Sequence, residues 1–340
     1  MSFPTISLCM IVKNEEHCIE ECLKHVYNLV DEIIIVDLGS SDNTINICKK
    51  YTKNVYCKTW NNHFAEARNF GIEKATKDWI FYLDADEVIE KIKPASLKEL
   101  LKKTQATIIS LPILNYVGEG NLIDNDQIFI FYQTRIFKNG IGMKFQGRVH
   151  ETLCMPDEIL ESDIETLKIN IHHFGYLNPV VKFKKKNKRN TELLIAEIRN
   201  PNPWIDYHIA SELYREKFYN LALYFLNVTI LKFIKNKIKP PSLIYRLKYS
   251  IYFDAGFIGG IYPNIEKAIL LYPDYVDLHY YKGLSLFQLK NYTEALKTFE
   301  LCLNLGEDNP KYLILKGVGS FRALEYINIC LKKSKNLKNQ

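Results

Sequence analysis

Two rhythms of apolar residues divide the chain. From residue 5 to about residue 176, unbroken apolar runs alternate with segments whose apolar positions recur every three or four residues. The first run is ISLCMIV at Ile6–Val12; an amphipathic segment over residues 15–29 follows, and then EIIIVDLG at residues 32–39. A run that is apolar at every position has to be covered on both faces, and such runs separated by helices predict a parallel sheet flanked by helices. Further strands are predicted at residues 55–60, 79–84 and 107–112, with a helix over 64–75. Beyond residue 125 the pattern turns β-rich, in IFIFYQTRIF, MKFQGRVHETL and LKINIHHFGY, so part of the sheet is predicted to be mixed. The first domain is therefore α/β, of doubly wound type.

Near Asn200 the texture changes. Pro201 and Pro203 precede helical periodicity that runs almost to the last residue, which predicts one domain over residues 1–200 and an all-α domain over 201–340. The clearest unit spans residues 277–306. There Gly283, Ala295, Phe299 and Cys302 fall where a roughly 34-residue tetratricopeptide-like repeat places its small, alanine, aromatic and small positions. Ala210, Ala222 and Leu226 keep the same spacing in a weaker copy, and a degenerate copy is expected around Gly256 and Ala268. Ordinary helical hairpins capping the first domain would give a similar pattern.

With 340 residues, 47% hydrophobic and 25% charged, the chain is globular rather than disordered in composition and long enough for two cores. Its net charge of +6 is densest at Lys182, Lys184, Lys185, Lys186, Lys188 and Arg189. No nucleic-acid motif or aromatic stacking platform accompanies that run, so nucleic acid is not an expected partner. Eight cysteines are scattered without a CxxC or zinc spacing and read as reduced thiols. The opening residues lack a basic leader. The longest later apolar stretch, residues 221–234, is interrupted by Asn227, Thr229 and Lys232 and is too short to span a bilayer. A cytoplasmic protein with no membrane span is expected.

The most informative segment is WIFYLDADE at residues 79–87, where a buried run ends directly in Asp84, Ala85, Asp86 and Glu87. Open α/β sheets bind ligands at the carboxyl ends of their strands, and three carboxylates there repel one another unless a cation is present. A hard divalent ion bridging the carboxylates to a diphosphate would resolve the repulsion; a solvated acidic turn is the plainer reading. A second acidic strand end, Asp37, precedes a Gly/Ser turn and is placed to accept a hydrogen bond from a base or ribose. Asp42 reads as the cap of a helix beginning near Thr44. In FAEARNFG, Arg68 stands in a helix otherwise suited to packing, able to fork onto a phosphate or to clamp an acidic strand end. No GxGxxG follows either of the first two strands and there is no Walker lysine loop, which sets aside dinucleotide and P-loop sites.

Taken in order, LCMIVKNEE, DEIIIVDLGSSDNT and FAEARNFGIEKATKDWIFYLDADE resemble the family 2 glycosyltransferases, which have the GT-A fold. The resemblance covers roughly the first half of the chain. It implies a UDP-sugar donor, Mn2+ or Mg2+, and transfer with inversion at the anomeric carbon. Carried over by position, Val12, Asn14, Glu15 and Asp37 line the nucleoside pocket, and Arg68 and Ala85 belong to the donor site. Asp84 and Asp86 form the DxD, with Asp86 the direct metal ligand and Asp84 nearer the ribose or the metal shell. His173, in HHFGY, would complete that shell, where a core histidine bonded to backbone is the plainer alternative. Single displacement needs a base beside the acceptor, for which Glu151 is the candidate and His150 the alternative.

Two departures narrow the resemblance. MIVKNEE replaces the proline-containing first motif, as in a subgroup that includes lipooligosaccharide glucosyltransferases and peptide-modifying enzymes. Helical repeats follow, as in the S-glycosyltransferases that modify cysteines of glycocin precursors, and repeats form concave surfaces for extended peptides or another subunit. The expected function is transfer of a hexose or N-acetylhexosamine from a UDP-sugar to a Ser, Thr or Cys side chain of a peptide or protein, such as a bacteriocin precursor or a flagellin-like protein. A homodimer through the helical domain is the expected assembly. A cell-envelope glycan transferase and a non-catalytic repeat scaffold are the alternatives.

Overall fold

The computed structural model describes residues 3–118, 127–177 and 186–338. Lys182, Lys184 and Lys185 of the basic run lie outside them, as do the side chains of Lys186, Lys188 and Arg189. The chain divides into two compact units, Met1–Ile123 with Phe131–Lys184, and Asp124–Ile130 with Lys185–Gln340. The division falls ahead of Pro201, and the second unit takes one short segment from within the first half.

The first unit holds β1 (Ile6–Val12), β2 (Glu32–Asp37), β3 (Val55–Cys57), β4 (Trp79–Tyr82), β5 (Glu87–Ile89), β6 (Ile108–Tyr116), β7 (Ile128–Lys138, from Phe131 on), β8 (Lys144–Gln146), β9 (Thr152–Cys154), β10 (Ile164–Thr166) and β11 (Ile171–His173). Its main sheet runs β3-β2-β1-β4-β7-β6-β11-β5. β1 pairs in parallel with β2 and β4, while β4 with β7 and β11 with β5 are antiparallel, so the sheet is mixed, as expected. The helices are α1 (Ile19–Val26), α2 (Thr44–Cys48), α3 (Phe64–Glu73) and α4 (Pro94–Lys103).

β1 shows why its run is apolar throughout. Ile6, Leu8, Met10 and Val12 join one core cluster with Cys22 and Leu23 of α1, whereas Cys9 joins another with Ile34, Ile80 and Phe137. Successive side chains leave opposite faces of a strand, so one continuous run feeds two cores.

Two expectations change in detail. The segment over 15–29 divides into a turn, α1 and a single 3-10 turn at Tyr27–Leu29, because Glu15 O accepts the N–H groups of Cys18 and Ile19 and starts the helix only there. MKFQGRVHETL is a hairpin: β8 and β9 flank a turn in which Gly147 (φ 100°) and His150 (φ 52°) take left-handed backbone.

The second unit is helical, with α5 (Lys186–Ala196), α6 (Pro203–Arg215), α7 (Tyr219–Lys235), α8 (Ser242–Asp254), α9 (Ile258–Ile261), α10 (Ile265–Leu271), α11 (Val276–Gln288), α12 (Tyr292–Leu305) and α13 (Phe321–Lys338). Ala295, Phe299 and Cys302 are fully buried, and Gly283 on α11 faces Phe299 on α12: a Cβ at Gly283 would stand 2.6 Å from the ring. Ala210, Ala222 and Leu226 are buried alike between α6 and α7. The third copy differs. Gly256 (φ 73°) follows α8 as its stop and meets nothing within 4 Å, while the close approach belongs to Gly260 against Tyr252. A short strand, β12 (Ile314–Leu315), pairs antiparallel with Ile130 and Phe129, which this unit claims. Among the described residues no helix is long and apolar enough to cross a membrane.

Candidate active site

β2, β1 and β4 are neighbours running the same way, so their carboxyl ends share one edge of the sheet, and Val12 lies in register beside Asp37. Asp37 is 1% exposed. Its carboxylate accepts the N–H groups of Gly39 (2.9 Å) and Ser40 (3.1 Å), closing a turn in which Gly39 takes φ 87°. Asn14, itself left-handed at φ 56°, ties this turn to the one after β1: its N–H donates to Ser40 Oγ at 2.9 Å and its Oδ1 accepts the Ser41 N–H at 2.8 Å. Glu15 donates its N–H to Thr44 Oγ1 at 2.7 Å, and its carboxylate stands with His17 and the Cys18 thiol. Asn43, not Asp42, is the N-cap residue of α2. Asp42 accepts the N–H groups of Thr44 (3.0 Å) and Glu16 (3.1 Å) and so links the two turns.

α3 lays Ala65, Ala67 and Gly71 on the sheet, with Gly71 against Val36, and offers Arg68 from the adjoining face. The guanidinium bridges two carboxylates: Nε donates to Glu151 Oε1 at 2.6 Å and Nη2 to Asp84 Oδ1 at 2.7 Å. It lies 5.8 Å from the centre of the Tyr82 ring and 5.3 Å from that of Phe145. Burial opposes the charge of Arg68, and Asp84 and Glu151 more than offset it, so its pKa is raised. For Asp84, burial pushes the carboxyl up, but the Arg68 and Arg135 guanidiniums outweigh it and hold it below the ordinary carboxylate value. Of the two roles open to Arg68 in the sequence, the clamp on the acidic strand end is the one formed here.

The hairpin turn that delivers Glu151 is fixed to α3 from both sides. Asn69 holds the Phe145 backbone twice, Nδ2 donating to the carbonyl at 2.9 Å and Oδ1 accepting the N–H at 2.8 Å, and the Phe64 N–H donates to Arg148 O at 2.9 Å. His150 supplies the left-handed backbone just before Glu151; such a conformation in a residue with a Cβ costs on the order of 1 kcal/mol, which the surrounding bonds offset.

Asp86 and His173 meet through sheet register, since β5 and β11 pair Glu87 with His173. His173 Nδ1 bonds Asn115 Oδ1 at 2.8 Å, and Nε2 lies 3.5 Å from Asp86 Oδ1. An imidazole that donates from Nδ1 turns a lone pair on Nε2 toward the carboxylate. An imidazole with carboxylate oxygens is a donor set that suits a divalent metal ion. Of the residues expected as metal ligands, Asp86 and His173 stand side by side and suit such an ion, while Asp84 is turned to Arg68.

Residues 7–155 match the family model described as glycosyl transferase family 2. This stretch of the chain is similar to the family 2 glycosyltransferases. The SPbeta prophage-derived glycosyltransferase SunS of Bacillus subtilis is 31% identical over 210 residues, 59% of this chain and 48% of that protein. A TPR repeat-containing protein of Synechococcus elongatus is 30% identical over 177 residues, 50% of this chain and 42% of that one. The chain thus spans about half the length of these curated relatives. A crystal structure of S. aureus TarS 1-349 in complex with UDP-GlcNAc aligns with a TM-score of 0.41 at 13% identity, over 74% of this chain and 87% of that one.

Within the matched stretch, Asn69, Asn115 and Arg135 carry no signal that marks them in the sequence motifs. Glu87, grouped there with the strand-end acids, turns instead into the core, 1% exposed, and pairs with Arg135. One signal was legible in the apolar pattern instead: Arg135 is the lone charge inside the apolar run IFIFYQTRIF, directly before the buried Ile136 and Phe137, and a charge in such a place requires a partner.

Proposed function

We propose that the protein is an inverting, metal-dependent glycosyltransferase that moves a hexose or N-acetylhexosamine from a UDP-sugar to a Ser, Thr or Cys side chain of a peptide or protein. The observation that supports this best is that Arg68 bridges Asp84 and Glu151 at the strand end whose next carboxylate, Asp86, faces His173, with all but His173 inside the stretch that matches the family 2 model. Asp86 and His173 would hold Mn2+ or Mg2+, with Asp84 at the ribose or in the metal shell; bound metal offsets the charge that develops on the departing diphosphate. Val12, Asn14, Glu15 and Asp37 would line the nucleoside pocket, beside Ala85 of the DxD turn. Arg68 would present its remaining donors to the diphosphate. Glu151 would take the acceptor's proton as its oxygen or sulfur attacks the anomeric carbon and the bond from that carbon to UDP breaks. A Cys acceptor would lean less on this base than a Ser or Thr.

The peptide or protein acceptor, and a homodimer contact, are assigned to the helical unit, whose repeat-like helix pairs suit extended partners. A cytoplasmic setting accords with eight cysteines that are all unpaired thiols. The test is UDP release from a panel of UDP-sugars with Mn2+, with Cys- and Ser-containing peptides added, comparing wild type with Asp86→Ala. Metal-dependent release that one peptide raises and Asp86→Ala lowers by about 100-fold is expected. The absence of both turnover and UDP binding under every condition would overturn the proposal.

A further inference from the structure

We infer that Glu87 and Arg135, an ion pair buried beneath the Asp84–Asp86 turn, are positioning residues that aim the carboxylates of that turn at the metal and diphosphate; this rests on the donor-site reading above. Glu87 is 1% exposed and Arg135 4%, so neither reaches a donor. Their geometry ties them to the turn. Glu87 Oε1 accepts from Arg135 Nη2 at 2.5 Å, and its Oε2 accepts the Asp84 N–H at 2.9 Å. The Glu87 N–H in turn donates to Asp84 O at 3.1 Å, so side chain and backbone close the same four-residue loop. Through the β5–β11 register Glu87 is also the backbone partner of His173. One residue is thereby fixed to both sides of the candidate metal site.

Stability of the fold does not account for the pair. Arg135 bonds Gln133 Oε1 at 3.2 Å and lies 4.8 Å from the Tyr82 ring centre, yet its Nε has no hydrogen-bond partner. A buried ion pair with a donor left over is a poor stabiliser, and apolar residues of similar shape commonly do as well or better. What apolar residues cannot do is hold the Asp84 peptide N–H. Nor can they draw the third of three crowded carboxylates away from the other two. With Glu87 neutralised by Arg135 from behind, the turn presents Asp84 and Asp86 alone.

The double variant Glu87→Leu/Arg135→Met separates the two roles, since it removes both charges and the acceptor of the Asp84 N–H while keeping the approximate size. Arg135→Met by itself leaves Glu87 buried and unpaired and is expected to lower the thermal midpoint, which the double variant restores. Mn2+ affinity, measured by calorimetry with UDP present, is expected to remain about tenfold or more weaker in the double variant. Arg135→Lys, which keeps the charge but loses the planar fork, provides a second folded probe and is expected to weaken Mn2+ uptake in the same direction. Wild-type Mn2+ affinity in either folded variant overturns the inference alone. A wild-type protein that takes up no Mn2+ with UDP overturns the donor-site reading and this inference with it.

Discussion

Arg68 is one side chain asked to serve two carboxylates from different parts of the chain, and that demand makes it sensitive to chemistry as well as charge. Lysine keeps the charge but presents a single ammonium point rather than a fork, so Arg68→Lys reaches Asp84 or Glu151 and not both. Its expected consequence is a fall of roughly 100-fold in kcat/KM for UDP-sugar turnover with little change in thermal midpoint. Glu151→Gln keeps the shape and removes the proton acceptor. It is expected to lower kcat for Ser and Thr acceptors more than for a Cys acceptor, measured as product formed on matched peptides. His279 gives a pH-dependent prediction away from the site. Burial is the main cause holding its imidazole below the ordinary value of 6.5, only partly offset by the bond from Nε2 to Pro273 O at 2.8 Å, and Nδ1 has no partner. The unfolded chain therefore takes up a proton below about pH 6.5 that the folded chain resists, so stability falls as pH drops through that range. Urea midpoints at pH 7.5 and pH 5 should show a larger loss for wild type than for His279→Gln. At this scale Asp84, Asp86 and Arg68 were legible because each interrupts or ends a pattern. Glu87 was not, because sequence shows that an acid stands at a strand end without showing which way it turns, and its partner is 48 positions away.

Elements were legible where one periodicity ran unbroken. β1, β2 and α3 emerged nearly as expected because their neighbours in sequence are also their neighbours in space. The β8–β9 hairpin did not, since its turn depends on His150, a residue with a Cβ, taking a backbone that sequence patterns assign to glycine. The helical repeat shows the same contrast in a pair of glycines. Gly283 was recognised as a close-packing position, and a Cβ there would press on Phe299 Cε1 at 2.6 Å. Gly283→Ala is accordingly expected to destabilise the protein by roughly 1–3 kcal/mol through overpacking, read as a lowered denaturation midpoint. Gly256 fits the same spacing but ends a helix with positive φ and open space around it. Spacing alone does not separate a glycine needed for contact from one needed for conformation.

The succession of an α/β unit and a helical unit was legible in the two textures of the chain, because each unit draws most of its core from one stretch, though the helical unit begins ahead of Pro201. What no local pattern revealed is that Phe129 and Ile130 belong with the helical unit, through their pairing with Leu315 and Ile314. Strand pairs between distant residues carry no periodicity of their own. A fragment of residues 185–340 is thus expected to be less stable than the same fragment given a peptide of residues 124–130, measured by the thermal midpoint with and without peptide. The pairing also sets a timetable. During synthesis Ile128, Phe129 and Ile130 leave the ribosome well ahead of Ile314 and Leu315, which follow only after the intervening helices. The turns that carry Asn14, Asp37, Asp84 and Asp86 are complete by then, so the site proposed for the donor is finished long before the unit proposed for the acceptor. Through that interval an apolar strand end waits for a partner still being translated, which is where a chaperone would hold the nascent chain.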